Sequence, residues 1–168
     1  MFSVGEFVVY GTNGICEIKD ITTLNLNECD TEKKYYVLEP IRARGNHSFV
    51  PVDSDKVQLR RVIGRNQAEE LIDEIPKIDG IECIDDKSRE NKYKELVKQC
   101  ECREWVRIIK TIYLRKQERV AQGKKMTATD ERYMRLAQDN LYEELGFALG
   151  MDKNKMEDYI AYQIDHKK

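Results

Sequence analysis

The chain has 168 residues, of which 36% are charged, and a formal net charge of −2 at pH 7. That charge is unevenly distributed: residues 1–85 carry ten Lys/Arg and sixteen Asp/Glu, a net of −6, whereas residues 86–168 carry nineteen and fifteen, a net of +4. No apolar stretch approaches the roughly 20 residues that a membrane-spanning helix needs, which excludes a membrane-embedded protein. This asymmetry in charge favours two small domains of opposite net charge over a single domain.

The strongest charge imbalance lies in residues 87–125, which hold thirteen basic and five acidic side chains. A local field of this size favours a polyanionic partner. A solvated helical face with ordinary surface ion pairs has a similar composition, however. Charge alone therefore leaves both interpretations open.

The N-terminal part consists of short strand patterns separated by turn residues. Residues 2–17, FSVGEFVVYGTNGICE, combine β-branched and aromatic residues with glycines and an asparagine that tolerate positive φ, which predicts a strand, a tight turn and a second strand. Pro51 limits its own strand to a sheet edge or a strand end. Further strand patterns cover residues 15–23, 35–40, 46–52 and 57–60. Five short strands in so few residues predict a small Tudor-like or SH3-like β-barrel.

The rest of the chain has helical spacing. Trp105 falls in an apolar stripe with Ile108 and Ile112, so we expect it in a helical core. Thr127 precedes Asp130 by three residues, a capping arrangement that predicts a helix start. Predicted helices cover residues 66–75, 87–98 and 102–122, a stretch that begins at Thr127 and ends at Gly150, and a last one that begins at Asp152.

These patterns predict an α+β fold class with an N-terminal Tudor/SH3-like barrel and an all-α C-terminal domain. We expect the barrel over residues 1–75, a linker over residues 76–86 and a basic helical domain over residues 87–168. No phosphate-binding glycine loop, G-x-S-x-G or H-E-x-x-H motif occurs, and the two histidines are not at ligand spacing. The sequence therefore predicts no enzyme, catalytic residue, metal site or cofactor.

An ordered set of N-terminal motifs carries a family resemblance. The motifs are Phe2-x-Val4-Gly5-Glu6-x-Val8-Val9-Tyr10, Gly14-Ile15-x-x-Ile18, Tyr35-Tyr36-Val37-Leu38, Val50-Pro51-Val52 and Leu59-Arg60-Arg61-Val62-Ile63-Gly64. In these motifs the chain resembles the CarD/CdnL family of bacterial transcription regulators, whose N-terminal module is shared with transcription-repair coupling factors. The resemblance implies a cytoplasmic, nucleoid-associated regulator that binds the RNA polymerase β subunit through its barrel and promoter DNA through its helices.

The resemblance also suggests which residues meet each partner. Residues at the polymerase-facing edge are Ile21, Thr22, Thr23, Leu24 and Phe49. Residues that face the DNA backbone are Lys87, Arg89, Lys92, Tyr93, Lys94, Lys98, Arg119, Lys124 and Lys125. Well-studied members have a tryptophan wedge at the start of the helical domain, but residues 86–89 contain no aromatic residue, and Tyr93 is the nearest substitute.

Two alternatives remain open at this point. The helical domain is a protein adaptor if DNA contact was lost together with the wedge. A stand-alone nucleic-acid-binding barrel is disfavoured by the net charge of −6 in residues 1–85. The oligomeric state is also open, because an exposed strand edge pairs with either a partner or a second copy.

Overall fold

Antiparallel strands form the first part of the chain, and helices form the rest. The computed structural model describes residues 1–23, 33–55, 59–83 and 85–166. Clustering of contacts divides the chain into a sheet unit, Met1–Val62, and a helical unit, Ile63–Lys168. The predicted α+β class, with a β-rich N-terminal part and a helical C-terminal part, is confirmed.

The sheet unit is a five-stranded antiparallel sheet with the order β4-β3-β2-β1-β5. Its strands are β1 Phe7–Tyr10, β2 Ile15–Thr23, β3 Lys34–Pro40, β4 Ser48–Pro51 and β5 Leu59–Arg61. A single 3₁₀ turn, Gly11–Asn13, joins β1 to β2 and ends at Gly14, whose φ of 79° and ψ of −154° are accessible essentially to glycine alone. The predicted strand–turn–strand at the N-terminus is therefore confirmed.

One face of the sheet forms a compact apolar core. Alternation along β3 directs Tyr36 and Leu38 into it. The Phe2 ring covers Tyr36 at a centroid distance of 6.0 Å, and the Phe2 backbone N–H donates a 2.9 Å hydrogen bond to the Tyr36 hydroxyl oxygen. The buried core residues are Val8, Cys16, Ile18, Tyr36, Leu38 and Val50.

The helical unit contains α1 Arg65–Glu74, α2 Asp86–Gln99, α3 Cys102–Ala121, α4 Ala128–Leu149 and α5 Met156–His166. The predicted cap is present, because the Thr127 hydroxyl accepts a 3.1 Å hydrogen bond from the Asp130 N–H. Trp105 is only 1% exposed, which confirms its predicted place in the core. Among the described residues, no helix combines the length and apolarity that crossing a bilayer requires.

The boundary between the units comes before α1, whereas the sequence pattern suggested a boundary after it, over residues 76–86. Helix α1 packs within the helical unit, where the Arg65 guanidinium donates to the Leu149 carbonyl at 3.0 Å. The polar stretch after α1 is held by α3 rather than extended as a linker. There Lys110 Nζ donates to the Ile78 carbonyl at 2.6 Å, and Thr111 Oγ1 accepts from the Ile81 N–H at 2.7 Å.

Candidate functional site

The outer strand β4 offers an open backbone edge. The Val52 N–H donates to the Lys34 carbonyl at 3.0 Å, and Val37 lies opposite Phe49 in the ladder. Antiparallel ladders alternate between hydrogen-bonded and non-hydrogen-bonded pairs, so the N–H and C=O of Phe49 point away from β3. No described strand pairs with this outer edge of β4. The edge is therefore available for an added strand.

Apolar and aromatic side chains lie beside that edge on the solvent face of the sheet. Two cross-strand rows run over this face, one containing Val37 and Phe49 and the other containing Thr22 and Tyr35. Phe49 is 50% exposed, so its ring offers apolar surface beside the backbone edge. We call Thr22, Tyr35, Val37 and Phe49 the outer patch.

The predicted polymerase-facing residues do not share one face of the sheet. Thr22 and Phe49 lie in the outer patch, Thr23 is exposed at the end of β2, and Leu24 lies outside the described residues. Ile21 packs against the opposite, buried face. The Ile21 N–H donates to the Asp20 carboxylate at 2.8 Å, which places a charged group at the β2 edge, the part of β2 beyond the residues that pair with β1.

Tyr35 and Val37 are members of the outer patch that sequence reasoning missed. The alternation in Tyr35-Tyr36-Val37-Leu38 was sufficient to find them, because burial of Tyr36 and Leu38 puts their neighbours on the other face. Lys33 Nζ lies 5.9 Å from the centre of the Tyr35 ring, so the patch also carries a cation.

One end of the helical unit gathers the two basic segments that sequence analysis treated separately. Arg89 Nη1 donates to Asp86 Oδ1 at 2.7 Å, and Arg115 Nη2 lies 3.8 Å from the same oxygen. The hydrogen bond from Arg89 is the main cause of a lowered pKa of Asp86, and the charges of Arg115 and Arg119 add to it. We call the basic side chains at this end of the unit the basic end: Lys87, Arg89, Arg115, Arg119, Lys124 and Lys125.

The members of the basic end differ in how far they are free to meet an anion. Arg119 Nε donates to the Lys125 carbonyl at 2.7 Å and so fixes the turn after α3. Arg89 is mostly covered and engaged with Asp86. Lys87, Lys124 and Lys125 are exposed, and among the described residues no ion pair involves them. The three lysines are therefore the available cations of this end.

The remaining predicted lysines lie further along α2. Lys92 pairs with Glu95 at 3.4 Å, and Lys94 pairs with Glu90 at 3.8 Å. Lys94 and Lys98 line a groove between α2 and α4. Lys94 and Lys98 lie about two and three helical turns further along α2 than Lys87 of the basic end.

Tyr93 is not a surface residue, so its expected contact with DNA is wrong. It is 1% exposed, and its ring lies 5.0 Å from that of Tyr133. Its hydroxyl donates to Asp130 Oδ1 at 3.1 Å, and burial raises the pKa of the phenol. The cost of burying the hydroxyl is offset by that hydrogen bond, which a sequence pattern cannot reveal.

Comparison with known proteins finds a family match for the sheet unit. Residues 2–63 match the family model of the CarD-like/TRCF RID domain, a non-enzymatic domain that interacts with RNA polymerase. No curated protein matches the chain. The match covers the five strands and ends where the sheet unit ends. The resemblance found in the N-terminal motifs is therefore confirmed for residues 2–63, which match the CarD-like/TRCF RID domain family.

Proposed function

We propose that this protein is a bacterial transcription regulator that binds the RNA polymerase β subunit through its sheet unit and promoter DNA through its helical unit. Bound to both, it adjusts the stability of the promoter complex without catalysis. It acts in the cytoplasm, at the nucleoid with polymerase. The family of residues 2–63 supports the polymerase partner, and the open edge of β4 beside Phe49 is the observation that carries the docking mode.

Docking by strand addition follows from the chemistry of that edge. A strand of the β subunit laid along β4 satisfies the outward N–H and C=O of Phe49, while the outer patch supplies apolar contact area. Pro51 lacks an N–H, and its carbonyl already accepts from the Ser54 N–H at 3.3 Å, so the backbone bonds of the added strand centre on Phe49. The Asp20 carboxylate disfavours the same pairing along the β2 edge.

Contact with DNA is proposed for the basic end. Its exposed lysines, Lys87, Lys124 and Lys125, suit phosphate oxygens, which position a protein on DNA without reading its sequence. Three phosphate contacts give a slope of log K against log salt concentration of about −3. Binding of this kind is weak on its own and gains strength when polymerase already holds the promoter.

A protein adaptor is the second candidate. Tyr93, the nearest aromatic substitute for a wedge, and Trp105, the one tryptophan of the chain, are both buried in the helical unit. A regulator without a wedge has less means of distorting the upstream edge of the promoter bubble. In this second candidate the helical unit contacts a protein, and the basic end is a solvated surface.

Salt-dependent binding distinguishes the two. The full chain is titrated into a fluorescein-labelled promoter duplex at several salt concentrations, and anisotropy is recorded. The variant Lys124→Glu/Lys125→Glu is compared with Lys153→Glu/Lys155→Glu, which makes the same charge change at another exposed site. We expect only the first variant to weaken binding and flatten the salt dependence. Equal behaviour of the two variants, or no duplex binding by the wild-type chain, supports the adaptor.

A further inference from the structure

A groove of about 910 Å³ lies between α2 and α4 in the helical unit. Helix α2 contributes Lys94, Val97 and Lys98, which lie at i, i+3 and i+4 on one face. Helix α4 contributes a longer stripe between Ala128 and Asp139, which at 1.5 Å per residue spans roughly 16 Å. The groove therefore runs along about three helical turns of α4.

The floor of the groove is apolar and only partly covered. Val97 and Leu136 are half-buried, and Ala128 is exposed, so apolar surface faces solvent between the two helices. Tyr133 closes the bottom, where its ring packs on Tyr93. Partly covered apolar surface inside a helix-lined groove is the kind of site that takes the apolar face of another helix.

The rims of the groove are predominantly basic. Lys94, Lys98, Arg132 and Arg135 line it together with the acids Glu131 and Asp139, a net of +2. Arg132 and Arg135 are 66% and 72% exposed. Arg132 pairs with Glu90 at 3.4 Å and lies 5.2 Å from the centre of the Tyr133 ring, whereas the pair of Arg135 with Glu131 at 3.5 Å lies in solvent. An exposed pair of this kind is worth little, so the Arg135 guanidinium can turn to a partner at small cost.

We propose that this groove binds an amphipathic helix of a partner protein, with its apolar face on Val97 and Leu136 and its carboxylates toward Lys98 and Arg135. The basic rims select an acidic helix, and the length of the α4 stripe fits about three turns of it. DNA fits less well, because the apolar floor of the groove gives phosphates no partner, whereas it suits the apolar face of a helix. This docking site goes beyond polymerase binding by the sheet unit and does not depend on it.

The test uses the full chain and two synthetic peptides labelled with fluorescein. Both are helical peptides of about 15 residues with leucines at i, i+4 and i+7. One carries glutamates on its flanks, and the other carries lysines at the same positions. Anisotropy titrations should give a dissociation constant at least about tenfold lower for the glutamate peptide.

Substitutions in the groove locate the binding. We expect Lys98→Glu/Arg135→Glu to weaken binding of the glutamate peptide by about tenfold or more, because two favourable charge contacts become repulsive. Lys153→Glu/Lys155→Glu makes the same charge change outside the groove and should leave binding unchanged. The variant Leu136→Gln tests the apolar floor of the groove, and thermal unfolding shows whether this variant is folded. If it is not folded, the charge variants alone decide whether the peptide binds in the groove.

Several results overturn the proposal. Equal affinity for the two peptides would contradict selection of an acidic helix by charge. Unchanged binding of the glutamate peptide by Lys98→Glu/Arg135→Glu would contradict binding in the groove. If that variant loses affinity for a promoter duplex and not for the peptide, the rims are a DNA surface and the proposal is wrong. Polymerase binding of each variant is measured in parallel and is expected to stay unchanged, which separates this test from the one on the sheet unit.

Discussion

The hydroxyl of Tyr93 on α2 donates a 3.1 Å hydrogen bond to Oδ1 of Asp130 at the start of α4. The second carboxylate oxygen of Asp130 accepts from Arg115 Nε on α3 at 2.9 Å. Asp130 is 3% exposed, so a single buried carboxylate joins three helices at the base of the basic end. The positions of Lys87, Lys124 and Lys125 therefore depend on a polar core contact.

Removing parts of this contact should destabilise the helical unit in a defined order. Tyr93→Phe deletes one hydrogen bond and is expected to lower the free energy of unfolding by about 1 kcal/mol. Asp130→Ala leaves the Arg115 guanidinium and the Tyr93 hydroxyl without their carboxylate, and we expect a loss of about 3 kcal/mol. Urea unfolding followed by circular dichroism measures both. Equal losses for the two variants would mean that Arg115 does not depend on Asp130.

Trp105 should report on the core and not on DNA. It is the one tryptophan of the chain and is 1% exposed between apolar neighbours of α3. We expect blue-shifted fluorescence emission that iodide quenches poorly and that does not change when a promoter duplex is added. The unfolded chain in urea gives the exposed reference spectrum. A shift or quenching caused by DNA would be the signature of a tryptophan wedge and would contradict this placement.

Stability should fall at alkaline pH because of buried phenols. Burial, reinforced by the charge of Glu157, raises the pKa of Tyr142 to about 12, and burial moves the pKa of Tyr93 in the same direction. An unfolded tyrosine ionises near pH 10, so the unfolded state loses protons first as the pH rises. The stabilisation is thus fully present below about pH 10 and is lost as the pH rises from there toward about 12.

The Tyr142→Phe variant isolates this effect. Its free energy of unfolding should fall less steeply than that of the wild-type chain between about pH 10 and pH 12. Tyr113→Phe changes an exposed tyrosine and serves as the control. A steeper fall in Tyr142→Phe, or identical profiles for Tyr142→Phe and the wild-type chain, would contradict the assignment.

Local patterns were sufficient to predict most of the fold. The alternation of Tyr35 to Leu38 predicted β3, Thr127 predicted the start of α4, and Trp105 was correctly expected in the core. These features depend on neighbours within a few residues. For that reason the fold class was correctly predicted. The family resemblance of the N-terminal motifs agrees with the family match over residues 2–63.

The features that sequence reasoning missed depend on contacts between distant residues. Tyr93 lies among charged residues in sequence, and only Asp130, 37 positions later, accounts for its burial. Likewise, Lys110 and Thr111 on α3 hold the polar stretch at Ile78 and Ile81 that resembled a linker. The two basic segments meet because α2 and α3 form a hairpin that brings Arg115 to Asp86.

The central claim is that the polymerase β subunit adds a strand along β4. Isothermal titration of the full chain with a purified fragment of the β lobe measures it, with Leu114→Asp as an exposed apolar control in the helical unit. Phe49→Ala removes the ring, whereas Phe49→Pro also removes the outward N–H without taking a hydrogen bond from β3. We expect Phe49→Ala to weaken binding by about tenfold. Phe49→Pro should weaken binding further, and Leu114→Asp should leave it unchanged. Wild-type affinity in both Phe49 variants would contradict docking at the β4 edge.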